Sequence, residues 1–388
     1  MAAGKVGVTL PRLYGHQEPF RAVSRSALAG SLPQSLLVHG PAGIGKERFS
    51  LRLGQLLLCD APTPGGPCEE CRACRLAIRL EHPDLHWFFP LPRPTGTNTP
   101  DKLREKLAEL RAEELAARRA DPLHQPAFDK PPGYFVATVH GILEQAALRP
   151  AWGRRKLFVL GDADLTVPQE SSPEAANALL KLLEEPPPDT VLILTSHRPG
   201  ALLPTILSRV LPVRLRPLAD AEVESFLREV GGADPTRAAR VARLALGSMA
   251  RAISLLAGEG CEEGVEQGRA LLAAALSERP LDRLAAAHQQ SPFGGRSEEL
   301  AVQLDGLELW LRDLLAVRAG HPEGVHNRAG TRFLERVARD PQLNPEGVAT
   351  AARRVERARE LCFGNVNPQL VIANLLTEVA ADLKAIRR

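Results

Sequence analysis

Over its first half the 388-residue chain alternates short apolar runs with amphipathic stretches; over its second half only helical periodicity remains. Leu36-Leu37-Val38, Leu157-Phe158-Val159-Leu160 and Thr190-Val191-Leu192-Ile193-Leu194-Thr195 are continuous apolar runs of strand length and predict buried strands. Residues 82–91 (HPDLHWFFPL) predict another. Residues 15–30 predict a helix with Phe20, Val23 and Ala27 near one face, and a second helix runs from Glu47 to about Leu58. Residues 174–187 (EAANALLKLLEEPP) predict a helix stopped at Pro186, which cannot continue the hydrogen-bond ladder. Residues 134–148 have core character, and 201–210 close this region.

Residues 92–132 break the pattern. Prolines flank a charged segment, 101–120, with Leu103, Leu107 and Leu110 at helical spacing. This reads as an insertion between core elements, a solvated helix packed loosely on the core. From about residue 214 the chain turns helical. Residues 218–260 form a three-helix unit, and a longer helical region follows from about 264. That region shows no catalytic cluster and reads as a packing or assembly domain.

Composition narrows the class. A length of 388 residues allows two or three domains. The net charge of +3 gives no global basic field, so any nucleic-acid contact is local. No run of 18 apolar residues exists and the first 15 residues lack a signal-peptide core, so a cytoplasmic protein with no membrane contact is expected. Its six cysteines are then reduced or metal-bound. Four of them, Cys59, Cys68, Cys71 and Cys74, follow the spacing C-x8-C-x2-C-x2-C, which can wrap a tetrahedral Zn²⁺. With all four positions filled by protein, the zinc would be structural. Asp84 and His86 lie close by in sequence but read as loop and strand residues, and Cys261 and Cys362 as small apolar core residues.

The first apolar run enters Gly40-Pro41-Ala42-Gly43-Ile44-Gly45-Lys46, the G-x-x-x-x-G-K spacing of a P-loop between a strand and a helix. Such a loop turns backbone N–H groups toward phosphate oxygens, and Lys46 adds a full charge. The Mg²⁺-ligating Ser or Thr is replaced by Glu47. At the end of 157–160, where P-loop ATPases keep their acidic metal-holding and water-activating residues, the chain reads Gly161-Asp162-Ala163-Asp164. Both metal-holding positions are lost, which argues against Mg-ATP hydrolysis, while nucleotide binding stays open. Thr195 either faces a γ-phosphate or merely ends a strand, and Arg209 at a helix end can project outward.

The P-loop, the four-cysteine module after its helix, NALLKLLEEPP, Thr195-Ser196 and Ser208-Arg209 together closely resemble the bacterial clamp-loader AAA+ subunits of DNA polymerase III, the gamma/tau and delta-prime group. The resemblance spans most of the chain outside 92–132. It implies an α/β AAA+ domain with a parallel sheet over 1–213 (zinc module at about 59–74), a helical lid over 214–262 and an all-α collar over 263–388. It carries zinc onto Cys59, Cys68, Cys71 and Cys74. It makes Gly40, Gly43, Gly45, Lys46, Glu47, Asp162 and Thr195 the positions of a degenerate nucleotide site. Arg209, beside Ser208, becomes an arginine finger reaching ATP on a neighbouring subunit, with Val210 where the family has Cys. The departures at Glu47, Gly161 and Asp162, and Gly247-Ser248-Met249-Ala250 with Arg251 one place late, resemble the delta-prime branch. The implied partners are gamma/tau and delta subunits, with the sliding clamp and primed DNA reached through the complex. The alternatives are an active gamma/tau-like ATPase and a zinc-stabilised adaptor outside replication.

Overall fold

Four expected apolar runs and one further segment form a single parallel sheet. The structure is a computed structural model and describes residues 10, 12–97, 99–121, 123–126, 128, 130–166, 174–257, 261–289, 297–362 and 367–384. In chain order the N-terminal elements are α1 (Gln17–Leu28), β1 (Ser35–His39), α2 (Lys46–Leu58), α3 (Arg72–Ile78), β2 (Leu85–Phe88), β3 (Leu91–Pro92), α4 (Pro100–Ala120) and β4 (Pro132–Gly133). They continue with α5 (Val136–Ala147), β5 (Lys156–Leu160), α6 (Glu174–Glu184), β6 (Thr190–Ser196), α7 (Pro204–Leu207), β7 (Leu211–Arg214) and α8 (Asp220–Glu229). The five-stranded sheet has the order β2-β5-β6-β1-β7. All its pairings are parallel, with Leu37 opposite Leu194 and Phe158 opposite Leu192. Every residue of β5 and β6 is buried, which explains why these strands read as continuous apolar runs. The glycine loop, Gly161-Asp162 and Thr195-Ser196 follow or end the parallel strands β1, β5 and β6, so they gather at the carboxyl end of the sheet.

Two features depart from the sequence reading. The first is β7, where only Val213 is buried, so no alternation betrays a strand. Its Pro212 is tolerated because β7 is an edge strand. The second is α4: its outer face is exposed as expected, but its inner face packs against the core more closely than the sequence reading allows. Leu107 is 4% exposed and packs with half-buried Leu103, Leu110 and Leu115 in the cluster that contains Trp87 and Phe89. Two of its four arginines cover aromatic rings: Arg111 lies 3.8 Å from the Phe88 centroid, and Arg118 lies 4.4 Å from Trp87 and 4.2 Å from Phe89, while Arg104 and Arg119 are exposed. The β3–β4 ribbon closes the base of this insertion.

The chain divides into two compact units, residues 1–234 with 247–253, and residues 235–246 with 254–388. Among the described residues the second unit is built from helices, with one isolated bridge between Leu343 and Lys384: α9 (Pro235–Leu244), the end of α10 (Met249–Ala257), α11 (Cys261–Leu276), α12 (Pro280–His288), α13 (Ser297–Arg318), α14 (Thr331–Ala338), α15 (Pro345–Cys362) and α16 (Pro368–Leu383). Its core holds Leu304, Leu307, Trp310, Leu314, Leu334, Val355, Ile372 and Leu376. Helices α11 and α13 cross closely at Gly268 and Gly306: a Cβ on Gly268 would sit 2.2 Å from the Gly306 carbonyl carbon. Among the described residues no helix is long and apolar enough to cross a membrane.

Candidate functional site

The glycine loop has the backbone its sequence predicts. Gly40, Gly43 and Gly45 have φ of 153°, 72° and 94°, values that side chains disfavour. Two of them are also crowded. A Cβ on Gly40 would lie 2.4 Å from the Leu215 carbonyl oxygen, and one on Gly43 would lie 2.2 Å from Ser248 Oγ. The segment after Gly247 is laid across the loop, where Ala250 N donates to Gly43 O at 3.2 Å. Lys46 is 6% exposed and its Nζ donates to Pro41 O at 2.8 Å. Burial pushes the Lys46 pKa down, and the Asp162 and Glu47 carboxylates oppose that.

Glu47 and Gly161 meet. A Cβ on Gly161 would fall 1.8 Å from Glu47 Oε1, so the carboxylate occupies the space that a side chain at 161 would need. The two departures from the P-loop pattern are therefore neighbours in space, with an acid carried by α2 standing against the end of β5. Burial raises the Glu47 pKa, and the Arg118 guanidinium, 3.5 Å away, opposes it. Arg118 comes from the insertion helix and is 13% exposed. It is fixed by Glu114 at 2.7 Å and by the rings of Trp87 and Phe89. Farther along the insertion, Gln125 Nε2 donates to Ala250 O at 2.8 Å. The insertion therefore touches both the glycine loop's helix and the segment lying across the loop.

The other strand ends are tied to one another. Thr195 is fully buried and its Oγ1 accepts from Asp162 N at 3.0 Å. That bond pins Asp162 in a left-handed conformation with φ 43°. Burial would raise the Asp162 pKa, but His197 at 3.5 Å and Lys46 outweigh it and hold the carboxyl below its ordinary value. Asp162, Asp164 and His197 bring one ligand atom each within 4.8 Å of the others. The Asp164 oxygens are already used, by Ser196 Oγ at 2.7 Å and Arg198 Nη2 at 3.1 Å. Tyr134 Oη donates to Gly161 O at 2.8 Å, and burial drives its pKa well up.

Ser208 and Arg209 follow α7. Arg209 donates to Thr205 O at 2.8 Å and pairs with Glu184 at the end of α6, also at 2.8 Å. Its side chain is 34% exposed, so the guanidinium rests on its own chain at the surface.

The four cysteines converge. Cys59 ends α2, Cys71 caps α3, Cys74 lies within α3, and all four Sγ atoms lie within 4.8 Å of one another. The Cys68–Cys74 sulfur separation is 3.9 Å. Tetrahedral thiolates about 2.3 Å from a zinc stand roughly 3.8 Å apart, so the set fits that ion. Backbone N–H groups of Cys68, Cys71 and Cys74 donate to the sulfurs of Cys59, Cys68 and Cys71 at 3.2–3.4 Å. The Cys71 N–H lowers the Cys68 pKa to about 6, whereas burial pushes Cys74 up. A bound cation would remove the cost of ionising Cys74. Asp84 is not a ligand: it is fully buried and accepts from the backbone N–H groups of Ala151, Trp152 and Gly153. His86 stacks on Phe158 with centroids 4.8 Å apart. The side chains of Cys261 and Cys362 lie outside the described residues.

Sequence reasoning missed Arg118, Glu114 and His197. The first two sit in a helix whose charge pattern reads as solvated, and His197 belongs to no motif.

Comparisons with known proteins follow the same lines. A family model described as DNA polymerase III, delta subunit, matches residues 15–219. The chain is 25% identical to the DNA polymerase III subunit delta' of Bacillus subtilis over 347 residues, covering 89% of this chain and 90% of the relative. It is 29% identical to the Escherichia coli subunit delta' over 366 residues, covering 93% and 92%. Its identity to the Pseudomonas aeruginosa subunit delta' is 35% over 173 residues, which is 45% of this chain and 40% of that one.

Proposed function

The chain belongs to the DNA polymerase III delta-subunit family, and from that premise we propose that it is a delta-prime-type clamp-loader subunit that turns over no ATP itself. In this reading it supports a ring built with gamma/tau and delta subunits, which places the sliding clamp on primed DNA. The observation that carries it is the Glu47–Gly161–Arg118 arrangement. A carboxylate neutralised by an arginine of the same chain stands beside the P-loop, where a hydrolytic site needs a metal-ligating hydroxyl and a strand-end acid. No step of phosphoryl transfer is assigned to Lys46, Asp162 or Thr195.

Arg209 is the residue through which the chain would act. Its guanidinium is partly exposed, and its carboxylate partner, Glu184, is itself 47% exposed, so the pair is cheap to exchange for a stronger anion. On a neighbour's ATP, Arg209 would stabilise charge developing on the γ-phosphate, a contribution of about 10³-fold or more in rate. The Cys59–Cys68–Cys71–Cys74 cluster would hold a structural zinc that fastens the end of α2 to α3. In the same reading, residues 214–262 serve as lid and 263–388 as collar.

The test is ATP turnover by the chain alone and with gamma/tau, delta, the clamp and primed DNA from the same organism. We expect none alone, and stimulation in the complex that Arg209→Ala abolishes. Robust turnover by the chain alone would make it a gamma/tau-like ATPase, and failure to associate with gamma/tau would place it outside replication.

A further inference from the structure

The second compact unit contains a cleft of about 850 Å³, lined by residues of α9, α11, α13 and the segment leading into α14. Five arginines line it, Arg240, Arg243, Arg269, Arg328 and Arg332, against only two glutamates, Glu263 and Glu266. Glu266 is already occupied by Arg269, whose Nε lies 2.9 Å from Oε1. Among the described residues Arg243, Arg328 and Arg332 have no carboxylate partner, and Arg243 Nε is buried with no hydrogen-bond acceptor. The whole chain carries only +3, so this is a local positive field.

The walls are built to stay in place. Trp310 Nε1 donates to Val265 O at 2.6 Å, tying α13 to α11. Asp313 is fully buried and accepts from His326 N at 2.9 Å and Asn327 N at 2.8 Å, which fixes the segment that carries Arg328. Gly330 lies so close to the Trp310 ring that a Cβ there would be 2.2 Å from Cη2. Phe333 meets Trp310 edge-on at 5.3 Å and stays half-buried in the lining. Arg269 and Arg336 stand 5.8 and 5.5 Å from its centroid.

We propose that this cleft binds a short stretch of single-stranded nucleic acid, with phosphates on Arg243, Arg328 and Arg332 and a base against Phe333. Guanidinium forks match phosphate oxygens two at a time, and a phosphate would satisfy the orphaned Arg243 Nε. An acidic peptide would meet the same arginines. It would offer no flat partner to an aromatic ring that arginines already flank, whereas every base has one.

The experiment is fluorescence anisotropy of a labelled oligo-dT of about ten nucleotides with the full chain, over a salt series. Wild-type affinity should fall linearly in log–log form. The triple variant Arg243→Ala/Arg328→Ala/Arg332→Ala should bind at least about tenfold more weakly and lose about two units of salt slope, since each phosphate contact on a single strand contributes about 0.7. Phe333→Leu should weaken binding severalfold and leave the slope unchanged. Arg21→Ala/Arg25→Ala/Arg228→Ala, which removes exposed arginines of the first unit, should change little. A wild-type thermal melt for each variant separates lost binding from lost folding. Equal binding by the triple variant, an equal loss in the control triple, or no salt-dependent binding by wild type overturns the proposal. So does displacement by polyglutamate at lower concentration than unlabelled oligo-dT, which would make the occupant an acidic peptide.

Discussion

Gly161→Ala adds one methyl group at a backbone conformation that alanine accepts, since Gly161 is absent from the positive-φ positions. Its whole cost therefore comes from Glu47. The new Cβ would start 1.8 Å from Glu47 Oε1. Ordinary carbon–oxygen contact needs about 3.5 Å, so the carboxylate must retreat by roughly 1.7 Å. Leaving its rotamer well costs about 0.5–1.5 kcal/mol. The retreat also loosens a pair whose side chains are 13% and 30% exposed, worth about 1 kcal/mol. Gly161→Ala should then destabilise the first unit by about 1–3 kcal/mol. With Glu47→Thr already present, the same methyl should cost less than about 0.5 kcal/mol. Urea unfolding followed by tryptophan fluorescence reports on this region directly, because Trp87 lies under Arg118 at 4.4 Å. A Gly161→Ala penalty that is the same in both backgrounds would show that Glu47 does not fill that space and would refute this reasoning.

Other perturbations have equally definite outcomes. Asp84→Asn puts an amide against three backbone donors and should cost about 2–4 kcal/mol in the same unfolding assay. Burial raises the Asp84 pKa, but the Gly153, Ala151 and Trp152 N–H groups more than offset it. Its folded pKa is thus depressed, and its stabilisation, complete above the unfolded value of about 3.9, should vanish as pH falls below that, a loss that Asp84→Asn removes. Burial lowers the His86 pKa to about 4. The unfolded state therefore takes up a proton first, so stability should decline as pH drops from about 6.5 toward 4, and His86→Leu should flatten that decline. Chelation or Cys74→Ser should lower the melting temperature and release about one zinc per chain, read by elemental analysis. Unchanged stability with no metal released would remove the structural role.

What the sequence makes legible follows from how local each signal is. Strands β5 and β6 are buried along their whole length, so their apolar runs suffice. The glycine loop and the four cysteines are spacing motifs, and the structure brings each set together. Edge strand β7 buries only Val213 and leaves no pattern. The insertion is misjudged for a different reason. Periodicity finds the helix and its three leucines, but a charged residue is scored as solvated whatever its stem covers. Arg111 and Arg118 lay their guanidiniums on Phe88, Trp87 and Phe89, contacts made across the fold that no window of sequence contains.

If the chain turns over no ATP, as proposed, the same contacts bear on whether hydrolysis is one substitution away. Replacing Glu47 with Thr would restore a hydroxyl after Lys46 but leave Gly161 without an acid. It would also leave Arg118 beside the P-loop, still held by Glu114 at 2.7 Å and by two aromatic rings. Restoring only the acid, with Gly161→Asp, would force the Glu47 carboxylate to retreat from the 1.8 Å overlap and would place two carboxylates against a single arginine. A metal site needs both changes and the withdrawal of a positive charge that α4 supplies through a well-packed core face. The double variant Glu47→Thr/Gly161→Asp should therefore stay without Mg-ATP turnover, and only with Arg118→Ala added should nucleotide binding rise. Turnover restored by the double variant alone would show that the inserted helix has no part in closing the site.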